Sequence, residues 1–292
     1  MIIERYTIAL ALSNFIAMLG ATASSLENGI SQSLFDDFVR YTKYSSAAYQ
    51  LFCPRPLGQK LVLQFNDIIT DTQGFIARDD TRKELVVAVR GSSDPVDFLT
   101  DVMMILAPYT SPGVPPPPPP TDDIRTHLGF LTAYNAVAPL ILKALKTQHE
   151  LYPDYTLIST GHSLGGAIAS LGGVSMKCNF PEANVRLFTF GQPRTGNAAY
   201  AAFVETTLGV RNVHRAVHTF DGVPTIIPQY LGYQHHPTEY WNFVDPASPS
   251  SVKRCTGGED PEGSGPHPST GINIAHTIYF GQVMAVDPSL CF

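Results

Sequence analysis

The feature that most constrains this chain of 292 residues is the run Gly161-His162-Ser163-Leu164-Gly165. Residues 155–160 before it predict a strand that runs straight into Gly161, whereas residues 164–176 are small and apolar almost throughout and predict a buried helix. Glycine at both ends lets strand and helix approach closely at a sharp turn. Such a turn lifts the side chain at its apex into the open, so Ser163 is the candidate nucleophile. An ordinary glycine turn is the alternative interpretation.

The pattern on both sides of this turn alternates between strands and helices. Short β-rich segments bounded by Gly, Asp and Asn predict strands, and apolar residues three to four apart predict amphipathic helices. Helices are predicted over residues 31–51, 130–151, 164–176 and 197–208, and strands over residues 61–65, 74–77, 85–89, 155–160, 185–190 and 212–218. This alternation predicts an α/β fold, with a mostly parallel central sheet and helices on both faces.

Residues 115–120 are six consecutive prolines, which favour an extended polyproline II conformation. A linker between two domains is one interpretation of this run. It is disfavoured because the part before it has strands but no nucleophile, and the part after it has the nucleophile but too few partner strands. We therefore expect a surface loop within one domain.

The first 23 residues have the pattern of a secretory signal peptide. An apolar stretch over residues 6–19 precedes Ala21-Thr22-Ala23, whose small residues fit the site that signal peptidase cleaves. The stretch is too short to span a membrane comfortably, and no later segment approaches about 20 uninterrupted apolar residues. We expect a signal peptide over residues 1–23, a single domain over residues 24–292, and an extracellular protein without a transmembrane segment.

Secretion makes the four cysteines candidates for disulfides, and four cysteines allow three full pairings. Cys53 and Cys291 lie near opposite ends of the mature chain, where a bridge would close a long loop. Cys178 and Cys255 could pair with each other or remain free. The net charge of −6, without clustered Lys and Arg, argues against a nucleic-acid partner.

A serine hydroxyl needs a histidine as base, which a carboxylate orients. In chains with this strand-to-helix turn, the acid follows the nucleophile and the histidine comes last. Asp221 directly follows the strand predicted over residues 212–218, and His276 lies close to the C-terminus. Asp245 and Asp260 are weaker candidates for the acid because they lie in loops rich in Pro, Ser and Gly. We expect Asp221 to orient His276.

Other histidines have weaker claims. His162 adjoins the nucleophile but should point away from it in a tight turn, so we interpret it as structural, hydrogen-bonded to a neighbouring strand. His214 and His218 are four residues apart in a predicted strand, where that spacing does not converge on a metal. His235 and His236 lie in a predicted turn. We therefore expect neither a metal site nor a cofactor.

The oxyanion that forms when a serine attacks an ester needs preorganised N–H donors. The backbone of Leu164, the residue after the candidate nucleophile, should supply one. The loop after the third strand should supply the other, and Ser92 is the candidate there. Its hydroxyl could add a third hydrogen bond, or cap a short helix over residues 94–99.

Motifs spread over nearly all of the mature chain resemble the fungal class 3 lipase family, which also contains the type A feruloyl esterases. The motifs are Tyr152-Pro-Asp-Tyr155, Thr160-Gly-His-Ser-Leu-Gly-Gly-Ala167, Phe190-Gly-Gln-Pro-Arg-Thr-Gly-Asn197, His218-Thr-Phe-Asp-Gly-Val-Pro224, Gly232-Tyr233, Glu239-Tyr-Trp241 and Tyr279-Phe-Gly281. The resemblance implies the α/β-hydrolase fold, a triad of Ser163, Asp221 and His276, and an oxyanion hole at Ser92 and Leu164.

The resemblance also implies a short lid just after Ser92, with Phe98 and Leu99 at the substrate rim. Family members often carry a Trp in this lid, and this chain has Phe98 instead. Relatives place one cysteine near the end of the first helix and another at the C-terminus, which supports a bridge between Cys53 and Cys291.

These observations lead to the hypothesis of a secreted, monomeric ester hydrolase that acts on acylglycerols at a lipid–water interface. Apolar residues in the expected pocket wall favour acylglycerols over the feruloyl esters of plant cell walls, which are the alternative substrates. A non-catalytic binding module on the same fold is disfavoured because all three triad residues are present.

Overall fold

The computed structural model describes residues 29–91, 104–116 and 123–292. The helices are α1 (Gln32–Ala47), α2 (Leu128–Leu151), α3 (Leu164–Asn179) and α4 (Ala198–Leu208). The strands are β1 (Lys60–Asp67), β2 (Thr72–Asp79), β3 (Glu84–Val89), β4 (Leu106–Pro108), β5 (Arg125–His127), β6 (Thr156–His162), β7 (Val185–Phe190), β8 (Gly196–Asn197), β9 (Val213–His218), β10 (Tyr233–Gln234), β11 (Glu239–Asn242), β12 (Val252–Arg254), β13 (Ile278–Tyr279) and β14 (Gln282–Val283). The predicted signal peptide over residues 1–23 lies outside the described residues.

An eight-stranded sheet forms the centre of the molecule, in the order β1-β2-β3-β6-β7-β9-β11-β12. Its inner strands β3, β6, β7, β9 and β11 run parallel to one another. The outer strands β1, β2 and β12 pair antiparallel. The mostly parallel sheet expected from the alternating sequence pattern is confirmed.

Both faces of the sheet are buried because side chains alternate along each strand. On β3, Leu85, Val87 and Val89 face a first hydrophobic core, which α2, α3 and α4 cover. Val86 and Ala88 face a second core, which α1 covers. The helices on both faces are also confirmed, and α3 lies directly behind the end of β6 that carries the candidate nucleophile.

Helix α2 is long and apolar enough to cross a membrane, judged by length and composition alone. In the structure, however, its residues Phe130, Tyr134, Val137, Ile141 and Leu145 are buried in the first core. This is the environment of a core helix in a globular protein.

Helix α1 ends at Ala47, four residues before the predicted end at residue 51. The backbone N–H groups of Tyr49 and Gln50 donate to Ser46 and Ala47 at 3.0 and 3.1 Å, which closes the helix with tight turns. The chain therefore leaves the helix axis at Tyr49, and this side chain reaches the nucleophile turn instead of lying along the helix.

The segments before and after the proline run belong to one small antiparallel sheet, in the order β10-β8-β5-β4. Leu106 of β4 pairs with His127 of β5, and Pro108 pairs with Arg125. The part of the run at residues 117–120 lies outside the described residues. Because paired strands flank it, the run joins neighbouring strands.

A disulfide joins Cys53 to Cys291, as the resemblance implies. It ties the segment after α1 to the 3₁₀ helix Pro288–Cys291 across a sequence separation of 238 residues. Cys178 and Cys255 are free thiols. Burial and the nearby Glu239 carboxylate raise the pKa of Cys255, so this thiol stays protonated and unreactive.

Candidate active site

Ser163 stands at the junction of β6 and α3 with a left-handed backbone, φ 59° and ψ −129°. The turn is so tight that a Cβ on Gly161 would lie 2.2 Å from the Gly165 carbonyl oxygen. A Cβ on Gly165 would lie 2.4 Å from the carbonyl oxygen of Val89 on the neighbouring strand. The backbone segments approach so closely that both positions require glycine. The strained backbone of the serine between them is typical of a functional site.

The structure brings Asp221 and His276 together from positions 55 residues apart. Asp221 follows β9, and His276 lies in the short 3₁₀ helix Ile274–Thr277. The His276 Nδ1 lies 2.9 Å from Oδ2 and 3.1 Å from Oδ1 of Asp221, and both side chains are buried. A carboxylate accepts hydrogen bonds only, so Nδ1 carries the proton and Nε2 keeps a free lone pair.

Two further donors hold the Asp221 carboxylate. The Tyr279 hydroxyl donates to Oδ2 at 2.5 Å, and the backbone N–H of Val223 donates to Oδ1 at 2.9 Å. Burial, together with the negative charge of Asp221, raises the pKa of Tyr279 far above its ordinary value, so the phenol stays protonated. Tyr279 was not predicted as a site residue, because its only signal in the sequence is membership of the motif Tyr279-Phe-Gly281.

The atoms that would exchange a proton are the Ser163 Oγ and the His276 Nε2. Within the described parts of the chain, both atoms are buried and neither has a hydrogen-bond partner. Both residues line a cavity of about 450 Å³. Tyr49, Arg90 and His162 lie beside them in this cavity, and its other walls come from Leu51, Ile272, Thr277, Met284, Ala285 and Val286. An apolar cavity with a few convergent polar groups is typical of a ligand site.

Leu164 is the first residue of α3, and the first N–H groups of a helix have no acceptor within the helix. The helix dipole adds positive potential at this end, which suits a developing oxyanion. The other predicted donor, Ser92, follows Gly91, the last described residue of this segment. Ser92, Phe98 and Leu99 lie outside the described residues.

The His162 side chain is buried and both of its ring nitrogens have partners, but the prediction that it is hydrogen-bonded to a neighbouring strand is wrong. Its Nδ1 lies 2.8 Å from the Tyr49 hydroxyl, and its Nε2 lies 2.8 Å from the backbone carbonyl oxygen of His276. The rings of His162 and His276 also pack against each other, with centroids 4.4 Å apart. The tight turn directs this ring toward the candidate base.

The other histidines and aspartates considered from the sequence do not line this cavity. The His214 ring stacks on Phe188, with centroids 4.3 Å apart, and His218 donates to Ala275 and faces Asp245. His235 and His236 are buried against the Pro224 carbonyl and Gln192, and Asp260 accepts the backbone N–H groups of Thr256 and Glu262. Among the described residues, no group of three or more His, Cys, Asp or Glu side chains is arranged to hold a metal.

Comparison with known proteins identifies the family. Residues 86–231 match the model of the class 3 lipases, and residues 9–67 match that of the lipase 3 N-terminal region. The chain belongs to the class 3 lipase family. It is a serine hydrolase of the lipase type with the α/β-hydrolase fold.

Individual relatives are also similar over most of this lipase. A secreted alkaline triacylglycerol lipase of Penicillium cyclopium is 31% identical, and the match covers 86% of this chain and 85% of the relative. The secreted mono- and diacylglycerol lipase A of the same organism is 32% identical, with 88% of each chain covered. The crystal structure of a triacylglycerol lipase from Penicillium expansum is similar with a TM-score of 0.80 and 30% identity, covering 90% of this chain and 98% of that one.

Proposed function

We propose that this lipase hydrolyses the carboxylic esters of acylglycerols with Ser163 as nucleophile, His276 as base and Asp221 as orienting acid. The proposal is carried by two buried atoms in one apolar cavity, Ser163 Oγ and His276 Nε2, which have no hydrogen-bond partner among the described residues. The Asp221 carboxylate holds the opposite ring nitrogen, which leaves Nε2 free to accept a proton.

The reaction has two halves. In the first half, Oγ of Ser163 attacks the acyl carbonyl carbon while its proton moves to Nε2 of His276. The oxyanion that forms accepts hydrogen bonds from the backbone N–H groups of Leu164 and Ser92. The tetrahedral intermediate collapses to an acyl-enzyme, and His276 returns the proton to the departing glyceride oxygen. In the second half, water attacks the acyl carbonyl carbon while His276 takes its proton. The bond between the acyl group and Ser163 Oγ then breaks, His276 returns the proton to Oγ, and the fatty acid leaves.

Apolar side chains around the cavity support a lipid substrate. Leu51 and Val286 line the cavity, and they are 82% and 62% exposed. Ile274, two residues before the candidate base, is 78% exposed. Transfer of such apolar surface from water into lipid is favourable, which fits action at a lipid–water interface. We propose Phe98 and Leu99 as further substrate-contacting residues.

The variant Ser163→Ala tests the chemistry, with Ser175→Ala as its matched control. Ser175 is likewise a buried serine, within α3, and its Oγ donates to the Pro112 carbonyl at 3.1 Å. We expect Ser163→Ala to lose at least about 10⁴-fold in kcat while its melting temperature stays near that of the parent. Ser175→Ala should keep its activity. Substantial ester hydrolysis by folded Ser163→Ala would refute the assignment.

Substrate class is tested by turnover of a trioctanoylglycerol emulsion against turnover of methyl ferulate. We expect the emulsion to be hydrolysed and the ferulate ester to be a poor substrate, because the cavity walls offer few polar partners for a phenolic ring. Efficient turnover of methyl ferulate alone would instead assign the enzyme to the cell-wall esterases.

We also propose that the enzyme is exported, cleaved after Ala23, and acts as a monomeric single domain. The disulfide between Cys53 and Cys291 supports an oxidising compartment. N-terminal sequencing of enzyme secreted into the medium should begin at Ser24, and size-exclusion chromatography should report one chain. Retention of residues 1–23 in the secreted protein would contradict the cleavage site.

A further inference from the structure

Three segments of the site meet at the ring of His162: the end of α1, the nucleophile turn and the loop that carries His276. The ring is 3% exposed and both of its nitrogens have partners. Neither partner is a strand backbone of the central sheet. The position immediately before the nucleophile therefore holds a side chain whose contacts run to the base.

The hydrogen-bond directions follow from the partners. A carbonyl oxygen can only accept, so Nε2 of His162 carries a proton and donates to the His276 carbonyl at 2.8 Å. Burial lowers the pKa of His162 well below its ordinary value, so the ring has this proton only. Its Nδ1 must then accept, and the Tyr49 hydroxyl donates to it at 2.8 Å.

Tyr49 also connects this ring to a fourth segment, the chain that follows β3. Its hydroxyl oxygen lies against the backbone of Gly91, since a Cβ on Gly91 would be 2.3 Å from it. Gly91 directly precedes Ser92, the proposed oxyanion donor. Burial raises the pKa of Tyr49 above its ordinary value, so the hydroxyl keeps the proton that it donates to His162.

We propose that Tyr49 and His162 form a positioning pair for His276, which holds the plane of the base so that its Nε2 faces the Ser163 Oγ. The proposal rests on the proposed function, because it assigns a task only if His276 is the base. His162 contacts His276 twice, through the carbonyl and through its ring face at 4.4 Å. His162 must also be uncharged to position His276, because a positive charge on His162 would repel the imidazolium that forms on His276 during the reaction.

A different contact holds the same loop from its other side. His218 donates from Nδ1 to the carbonyl of Ala275 at 2.8 Å. That bond fixes the backbone before the base but does not touch its ring. The face of the ring packs on His162, whereas its edge is held at Nδ1 by Asp221, so loss of the pair should let the His276 ring tilt about its bond to Asp221 while the loop stays in place.

The test uses Tyr49→Phe, which removes one hydroxyl and keeps the ring that lines the cavity. We expect kcat to fall about tenfold on a soluble p-nitrophenyl ester, with KM within about twofold, because one hydrogen bond of the positioning pair is lost. The fall should be the same for acetyl and octanoyl esters. Inactivation by diethyl p-nitrophenyl phosphate should slow by a similar factor, since it reports the nucleophilicity of Ser163.

Tyr200→Phe is the matched control. Tyr200 is also buried, and its hydroxyl shares a 2.8 Å hydrogen bond with Ser170 outside the cavity. The two variants should lose similar stability, but only Tyr49→Phe should lose kcat. An equal loss of kcat in both would overturn the proposal, as would a Tyr49→Phe defect that grows with acyl length, which would make Tyr49 a substrate contact.

His162→Gln and His162→Leu give an independent readout. Glutamine keeps an N–H that can reach the His276 carbonyl, so we expect it to retain at least about fivefold more kcat than leucine. Equal kcat values for the two would overturn the proposal. Ser163→Ala distinguishes failure of the positioning pair from failure of the proposed function. If Ser163→Ala is inactive while Tyr49→Phe has full kcat, only the positioning pair is refuted. If Ser163→Ala is active, the proposed function itself is wrong.

Discussion

Gly191 offers a direct way to disturb the Asp221–His276 pair without removing either side chain. It follows β7 in a left-handed conformation with φ 58°. A Cβ at this position would lie 2.8 Å from Oδ2 of Asp221 and 2.9 Å from both Cε1 and Nδ1 of His276. Ordinary contacts of a Cβ begin at 3.4 Å, so a methyl group here must displace the pair.

Two costs follow for Gly191→Ala. The left-handed backbone costs an alanine about 1 to 2 kcal/mol of folding free energy. The methyl group must also push the His276 ring or the Asp221 carboxylate by roughly 0.5 Å, and misplacement of about 1 Å can cost 10²-fold in rate. We expect kcat to fall by about 10- to 100-fold, equivalent to about 1.4 to 2.7 kcal/mol of transition-state stabilisation.

Gly209→Ala separates these two costs. Gly209 follows α4 with φ 78°, and its nearest neighbour beyond the adjacent chain is 3.9 Å from the position of a Cβ. It should lose comparable stability in urea unfolding and keep its kcat on a soluble short-chain ester. If Gly191→Ala kept kcat within about twofold of the parent, the contact of Asp221 with His276 would not control the rate, and the reasoning would be refuted.

Two further predictions concern stability. Burial lowers the pKa of five histidines, to about 4 for His127, to about 3 for His214 and His236, and well below the ordinary range for His162 and His235. The contribution of these histidines to the free energy of unfolding is complete above about pH 6.5. It is lost as the pH falls, because the unfolded chain binds protons at a pH where the folded chain does not. In urea unfolding, the free energy of unfolding should be level from pH 7.5 to about 6.5 and should then drop, down to pH 5, by about 1.4 kcal/mol per pH unit for each such histidine; a level profile down to pH 5 would contradict this. Replacing both Cys53 and Cys291 by Ser should lower the free energy of unfolding by up to about 5 kcal/mol, because the bridge closes a loop of 238 residues; a loss below about 1 kcal/mol would show that the unfolded chain is not restricted by it.

Most elements of the fold could be predicted because their signals are local. The inner strands β3, β6, β7 and β9 and the four helices of the described residues were expected within a few residues of their observed bounds. No sequence pattern predicted β11 and β12, which have four and three residues, or the small sheet of β4, β5, β8 and β10. Strands so short carry no periodicity, and they form only because the central sheet or a neighbouring turn presents an edge to them.

The sequence by itself determined the turn at Ser163, since two glycines and an abrupt change from strand to helix are features of a few consecutive residues. It also pointed to Asp221 and His276, through their order along the chain. Only the tertiary structure decided which side chains surround these residues. Tyr279 reaches Asp221 across 58 residues and Tyr49 reaches His162 across 113, because strand register and the packing of α1 on the sheet bring these segments together. No local pattern encodes such contacts, so the surroundings of the base are a property of the folded chain alone.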